Sequence, residues 1–129
     1  MSDAQKTVLV VEDEAPLLLV LGNALQKEGF TVLTAADGKT GLQLALLKHP
    51  DMILADLKLP GMSGIDMIRE IRKDTWGKKA HVIILTNASD PTTLDEAMAQ
   101  GTFYYFVKSD SSMSDVVTAV RSQLNRPAA

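Results

Sequence analysis

The octapeptide Thr7-Val8-Leu9-Val10-Val11-Glu12-Asp13-Glu14 indicates the fold class of this chain. Its first five residues form a nearly unbroken apolar run, and three acidic residues follow directly. A run that is apolar at almost every position, instead of at every second one, is typical of a strand buried on both faces of a parallel sheet. Similar runs occupy residues 31–35, 52–55, 81–85 and 104–107. The sequence therefore predicts five buried strands.

Longer amphipathic stretches between these runs predict five helices. Their ends are marked by proline in a first turn, by capping side chains and by glycine after a last turn. The helices are predicted from Pro16 to the turn at Gly29, over residues 39–48, after the cap Ser63, from Asp90-Pro91 to Gly101, and over residues 112–124. The predicted inward residues are Leu17, Val20, Leu21 and Ala24; Leu42, Ala45 and Leu46; Ile65, Ile68 and Ile71; and Val116, Val117, Val120 and Leu124. Residues predicted to face water include Leu18, Leu19, Arg69, Glu70, Arg72 and Lys73.

Strands that alternate with helices predict an α/β fold. We expect a doubly wound, flavodoxin-like domain with a five-stranded parallel sheet in the order 2-1-3-4-5 and right-handed crossovers. One domain is expected over residues 1–129, with its core at about 7–125. In such open sheets, ligands bind beyond the carboxyl ends of the strands, where the strand order reverses. The last residue of each strand and the loop after it are therefore the candidate site.

The composition narrows the classes of function. Of the 129 residues, 46% are hydrophobic and 22% are charged, which is ordinary for a soluble globular protein. No apolar run approaches the ~20 residues that span a bilayer. The absence of Cys and the presence of only two His exclude disulfides and Cys/His metal sites. A net charge of −3 does not suggest a nucleic-acid binder. We expect a cytoplasmic protein that contacts neither nucleic acid nor membrane directly.

Polar side chains stand where four of the predicted strands end. Glu12 and Asp13 follow the first strand and Asp56 follows the third, while Thr86 and Lys108 end the fourth and fifth. These four strands are neighbours in the predicted order, so the side chains converge. Three carboxylates in one crevice repel each other unless a cation joins them, and a site of oxygen donors alone suits Mg²⁺. A hydroxyl and an ammonium suit the oxygens of a transferring phosphoryl group, so the pattern predicts phosphoryl transfer to an aspartate.

The same residues lie in four motifs, at residues 10–14, 54–64, 84–86 and 101–108. The second of these, Leu54-Ala55-Asp56-Leu57-Lys58-Leu59-Pro60-Gly61-Met62-Ser63-Gly64, is specific. In this order and spacing the motifs resemble those of two-component response-regulator receiver domains, and the likeness covers nearly all of the chain. The chain resembles in particular the chemotaxis-type single-domain receivers.

This resemblance implies a role for each residue of the site. Asp56 corresponds to the phosphoacceptor, and Thr86 and Lys108 correspond to the hydroxyl and the lysine that contact the phosphoryl group. Tyr105 corresponds to the aromatic residue that turns inward on activation, coupled to Thr86. The residues that correspond to the Mg²⁺ ligands are Glu12, Asp13, Asp56 and, through its backbone carbonyl, Lys58.

The resemblance also implies partners. The phosphoryl donor is expected to be a phosphohistidine on a sensor histidine kinase or a histidine phosphotransfer protein, or a small acyl phosphate. Output is expected through the surface of the fourth predicted helix, the fifth strand and the fifth predicted helix, with a phosphorylation-dependent homodimer as a further expectation. Such a domain promotes its own phosphorylation and dephosphorylation but turns over no separate substrate. Ser109 departs from the family pattern, which usually has proline there, and Asn87 stands where Ala or Gly is commoner.

Three alternatives remain at this point. A degenerate receiver could act as a scaffold without phosphorylation. Aspartate-nucleophile phosphatases carry an Asp-x-Asp pattern after the first strand, whereas the candidate nucleophile here follows the third. A flavin- or nucleotide-binding domain would carry a Gly-x-Gly-x-x-Gly loop after the first strand, which this chain lacks.

Overall fold

The computed structural model describes residues 6–87, 95–96, 98–99, 104–108 and 112–124. They contain one parallel sheet with the strand order β2-β1-β3-β4-β5. The strands are β1 (Thr7–Val11), β2 (Thr31–Ala35), β3 (Met52–Ala55), β4 (Val82–Thr86) and β5 (Tyr104–Val107). The predicted fold class and strand order are confirmed, and four of the five strands have the predicted bounds. The fourth begins one residue later than predicted and includes Thr86.

Helices flank the sheet on both faces. They are α1 (Ala15–Lys27), α2 (Gly38–Lys48), α3 (Gly64–Lys73) and α4 (Met113–Leu124), with a 3-10 turn at Gly77–Lys79. The predicted cap of α3 is confirmed, because the Ser63 hydroxyl accepts a hydrogen bond from the Asp66 N–H at 3.1 Å. The helix predicted from Asp90 to Gly101 lies largely outside the described residues, although residues 95, 96, 98 and 99 are helical. Within the described ranges, no helix is long and apolar enough to cross a membrane.

The core has two layers, one on each face of the sheet. Leu9, Ile53 and Ile84 belong to the layer that packs against α2 and α3. Their chain neighbours Val8 and Leu54 belong to the layer that packs against α1 and α4. Because successive side chains of a strand point to opposite faces, burial on both faces requires apolar residues at every position. This explains why the strands read as continuous apolar runs.

The predicted inward face of α1 is wrong in part. Val20 is 50% exposed, whereas Leu21, Gly22 and Leu25 are buried. Leu18 is half-buried against the core, so it does not face water as predicted; Leu19, at 65% exposure, does. The segment from Leu17 to Leu21 is apolar at every position, so its pattern leaves the rotation of the helix undetermined. The positions of Gly22 and Leu25 in the next turn determine it.

The inward face of α2 is also partly different from the prediction. Leu46 is 38% exposed, while Gly38, Gly41 and Ala45 are buried. A Cβ added to Gly41 would lie 2.8 Å from a methyl carbon of Val11, so the helix approaches the sheet too closely for a larger side chain. The buried residues of α2 are therefore small, and the predicted Leu42 packs partly buried beside them, so hydrophobic periodicity detects only part of this face.

The inward residues Ile65, Ile68 and Ile71 of α3 are buried as predicted, but Arg72 does not simply face water. Its half-buried guanidinium donates hydrogen bonds to the backbone carbonyls of Gly77, at 2.8 Å, and Ala80, at 2.6 Å. These bonds fold the 3-10 turn back onto the end of α3. Arg72 is therefore a structural residue of this connection.

We predict that Gly77→Ala destabilises the protein by about 1–3 kcal/mol, the usual range for overpacking. A Cβ at this position would collide with the backbone carbonyl of Ile71, which cannot move away as a side chain could. Urea unfolding measures the change. Gly22→Ala is the matched control, because a Cβ there would come no closer than 3.8 Å to its neighbours. It should stabilise α1 by about 0.4–1 kcal/mol, and a similar loss in both variants would contradict the packing argument.

Candidate functional site

Backbone hydrogen bonds fix the residues at the carboxyl edge of the sheet. The Asp56 N–H donates to the carbonyl of Val11 at 3.1 Å, which ties the end of β3 to the end of β1. The Lys108 N–H donates to the carbonyl of Thr86 at 3.0 Å, which ties the residue after β5 to the end of β4. The backbones of Asp56 and Lys108 are therefore each tied to the end of a neighbouring strand.

Three carboxylates meet at this edge. Each of Glu12, Asp13 and Asp56 offers one oxygen, and these oxygens lie within 4.8 Å of one another. Glu12 and Asp56 are buried, whereas Asp13 is exposed. A cluster of carboxylate oxygens with one side open to water fits Mg²⁺, which prefers oxygen ligands and keeps several of its waters. The predicted convergence of these residues is found in the structure.

The loop after β3 shapes the surroundings of Asp56. The Lys58 N–H donates to Asp56 Oδ1 at 3.2 Å, and the Gly64 N–H returns to the carbonyl of Leu57 at 2.8 Å. A Cβ on Gly64 would collide with the carbonyl of Asp56, so only glycine permits this close return. The start of α3 is thereby pressed against the backbone of Asp56.

The Lys108 ammonium lies among the carboxylates. Its Nζ is 2.8 Å from Asp56 Oδ2, 2.7 Å from Glu12 Oε1 and 2.7 Å from Glu14 Oε1. Burial alone would lower the pKa of Lys108, but the hydrogen bonds to these three carboxylates outweigh it and raise that pKa above its ordinary value. Lys108 is therefore positively charged at physiological pH and partly neutralises the acidic edge.

Glu12 responds to two opposing influences. Burial raises the pKa of its carboxyl above its ordinary value, against the lowering effects of Lys108 and of the Glu14 N–H, which donates to Glu12 Oε2 at 2.9 Å. In the absence of a metal ion, the buried negative charge of Glu12 is thus disfavoured. A bound cation at the acidic cluster would relieve that cost.

The other predicted residues occupy different environments. Thr86 is fully buried at the end of β4, next to β3. Tyr105 is 46% exposed, and Lys58 and Asn87 are also exposed. Ser109, and with it the peptide bond that follows Lys108, lies outside the described residues.

Glu14 is the residue of this site to which the sequence pattern assigns no role of its own. Its carboxylate pairs with Lys108, which lies 94 positions away in the chain. The available signal was its place directly after the acidic pair, in a loop whose neighbours converge on Asp56. Its contact with Lys108 could not be predicted, because an exposed glutamate beside a helix usually only favours the helix dipole.

A buried aspartate, an ammonium and a cluster of carboxylates thus lie together at the carboxyl edge of an α/β fold. The chain matches the family model "Response regulator receiver domain" over residues 8–121. It belongs to this family, whose function is that of a phosphoacceptor in two-component signalling. Receiver domains of response regulators bind Mg²⁺ in an acidic site and interact with histidine kinases or phosphotransfer proteins.

Individual relatives agree with this assignment. The chain is 33% identical over 122 residues to the transcriptional regulatory protein PdtaR of Mycobacterium tuberculosis. The alignment covers 94% of this chain and 58% of PdtaR. The chemotaxis protein CheY4 of Vibrio cholerae has a similar structure, with a TM-score of 0.84, 27% identity, and coverage of 92% of this chain and 98% of CheY4. The chain spans a little over half the length of the curated relatives it matches.

A second similar structure contains a metal. The receiver domain of the sensor histidine kinase PA1611 of Pseudomonas aeruginosa has a TM-score of 0.85 with this chain at 25% identity, over 95% of this chain and all of that domain (100%). A magnesium ion is coordinated in its active-site cleft. The acidic cluster of the present chain is consistent with the same kind of site.

We predict a specific pH dependence of stability from the raised pKa of Glu12. Between the ordinary value near 4.5 and the raised value, the native protein binds more protons than the unfolded chain. The free energy of unfolding should therefore fall as pH rises through this interval. Glu12→Gln removes this contribution, so its stability relative to the unsubstituted protein should increase with pH. Urea unfolding in metal-free buffer at several pH values measures the difference, and a difference that is constant with pH would contradict the assignment.

Proposed function

We propose that Asp56 accepts a phosphoryl group from a phosphohistidine on a sensor histidine kinase or phosphotransfer protein. The observation that carries this proposal is the environment of the Asp56 carboxylate. This carboxylate forms the acidic cluster together with Glu12 and Asp13. On its other side, the Lys108 Nζ lies 2.8 Å from Asp56 Oδ2. A nucleophilic carboxylate, a candidate cation site and a fixed positive charge are the parts that phosphoryl transfer needs.

In the transfer step, one Asp56 carboxylate oxygen forms a bond to phosphorus. The phosphorus–nitrogen bond of the donor phosphohistidine breaks, and its electron pair remains on the imidazole, which takes up a proton from water. The Lys108 ammonium and the Thr86 hydroxyl donate to the phosphoryl oxygens and stabilise the charge that they carry. The residues that would bind Mg²⁺ are Glu12, Asp13, Asp56 and the Lys58 carbonyl; the ion supplies positive charge that offsets repulsion between the carboxylates and the donor.

We propose that this event switches protein contacts. Phosphorylation adds charge and hydrogen-bond acceptors, towards which Thr86 and Lys108 move. Tyr105, which is 46% exposed, then packs inward and alters the surface formed by β5, α4 and the segment predicted as the fourth helix. This is a shift between two populations, and the altered surface would bind a downstream protein or a second copy of the chain. We propose that residues 1–129 form one receiver domain, which acts in the cytoplasm and turns over no separate substrate.

We predict that incubation with acetyl phosphate and Mg²⁺ adds one phosphoryl group, detected by intact mass. Asp56→Asn should take up none, because its side chain is no longer a nucleophilic carboxylate. Beryllofluoride, which forms a phosphoryl-like group on an aspartate, should bind the unsubstituted protein under the same conditions. If the unsubstituted protein is neither phosphorylated nor bound by beryllofluoride, the proposal is wrong and the chain acts as a scaffold.

We also predict that Mg²⁺ stabilises the protein through Asp13. At about 100 times the dissociation constant, a ligand of the native state adds about 2.7 kcal/mol to the free energy of unfolding. Asp13→Asn should lose most of this increase, yet should not be less stable in metal-free buffer, because Asp13 is exposed and repelled by its neighbours. Asp66→Asn, which changes an exposed aspartate of α3 in the same way, is the matched control. Thermal unfolding of both variants with and without Mg²⁺ measures how much each is stabilised by the ion. An equal stabilisation of the two variants would contradict the assignment of Asp13.

A further inference from the structure

The contact between Glu14 and Lys108 differs from the other two contacts of this ammonium. Glu12 and Asp56 are buried, with side chains that are 2% and 7% exposed, whereas the Glu14 side chain is 56% exposed. Glu12 and Asp56 also belong to the acidic cluster that fits a metal ion, and Glu14 does not. Glu14 thus binds Lys108 from the solvent side, at the mouth of the site.

The number of hydrogen-bond donors limits what Lys108 can do. An ammonium has three N–H donors and no acceptor. Three carboxylates, at 2.7, 2.7 and 2.8 Å, use all three donors. Lys108 can donate to a phosphoryl oxygen on Asp56 only if at least one of these carboxylates is released.

A metal ion would change two of the three contacts but not the third. A cation bound at the cluster would give Glu12 and Asp56 a second positive partner and would weaken their contacts with Lys108. Glu14 lies outside the cluster and would gain no such partner. The Glu14 contact is therefore the one that a bound cation would leave in place.

The backbone of Glu14 is fixed, so its side chain alone can release Lys108. Its N–H donates to Glu12 Oε2 at 2.9 Å, and its carbonyl accepts from the Leu18 N–H at 2.9 Å. Glu14 stands at the N-cap of α1, but its side chain makes no capping hydrogen bond. Rotation of the exposed carboxylate into water breaks the contact without disturbing the helix.

We propose that Glu14 is a positioning residue that holds the Lys108 ammonium towards the solvent side of the site and competes for it with a phosphoryl group on Asp56. This inference rests on the proposed function of Asp56. Glu14 thereby opposes phosphorylation, because an ammonium held by the Glu14 carboxylate is less available to the oxygens of the phosphoryl group. The effect is expected to be modest, since a pair with one exposed partner is weak.

The test is the affinity for beryllofluoride in the presence of Mg²⁺, with the rate of acetyl-phosphate labelling as a second readout. Glu14→Gln keeps the length of the side chain but removes its charge, so binding should tighten about two- to five-fold, the range that such a pair allows. Labelling should become faster by a similar factor.

Glu14→Asp separates direct contact from simple repulsion of the anion. Aspartate keeps the negative charge at the mouth but is one methylene too short to reach Lys108. If Glu14 acts by direct contact with Lys108, the Glu14→Asp variant behaves like Glu14→Gln. If the negative charge only repels the anion, Glu14→Asp behaves like the unsubstituted protein, and that result overturns the inference. Glu70→Gln, at an exposed glutamate of α3, controls for the change in net charge and should leave both readouts unchanged.

The outcomes separate this inference from the proposed function. An unsubstituted protein that is labelled at Asp56, with a Glu14→Gln variant that is equally fast or slower, overturns the role of Glu14 alone. An unsubstituted protein that takes up neither phosphoryl group nor beryllofluoride overturns both. Thermal unfolding of each variant in metal-free buffer shows whether α1 is intact, so that a folding defect is not mistaken for a change at the site.

Discussion

The contact of the Lys108 ammonium with three carboxylates is the interaction on which the carboxyl edge of the sheet depends. Without it, Glu12 and Asp56 would be buried negative charges with no nearby cation, which is costly in a protein interior. The same ammonium is the group expected to meet a phosphoryl oxygen. Lys108 therefore stabilises the resting site, and under the proposed function it also contacts the phosphoryl group, so that it serves both states by exchanging partners.

The two-layered core makes this exchange local. Strands buried on both faces, with α2 packed closely against β1 through Gly41, leave little room for the sheet to deform. The loop after Asp56 is similarly confined by Gly64. Changes in charge at the edge of the sheet are consequently taken up by side chains and loops that face water. The exposed positions of Glu14 and Tyr105 identify two of these adjustable groups.

The sequence predicted the five strands, their order and the meeting of Glu12, Asp13 and Asp56, because continuous apolar runs and the topology of α/β sheets determine all three. It did not predict the rotation of α1, since five successive apolar residues define no face. For α2 it predicted the inward positions Leu42 and Ala45 but not the buried glycines Gly38 and Gly41, which carry no hydrophobic signal. The pairing of Glu14 with Lys108 and the bonds of Arg72 to the 3-10 turn depend on side-chain reach across the fold. No local pattern contains that information.

The acidic edge also carries the net charge of the chain. The chain has 16 acidic and 13 basic residues; without Glu12, Asp13, Glu14, Asp56 and Lys108, 12 of each remain. These five residues therefore carry a net charge of −3, which equals the formal charge of the whole chain, and the other residues are neutral in sum. Such a distribution of charge attracts cations to the acidic edge and repels phosphate-bearing molecules from it. Electrostatics alone thus favours a fixed order of arrival, in which the metal ion precedes the anionic donor.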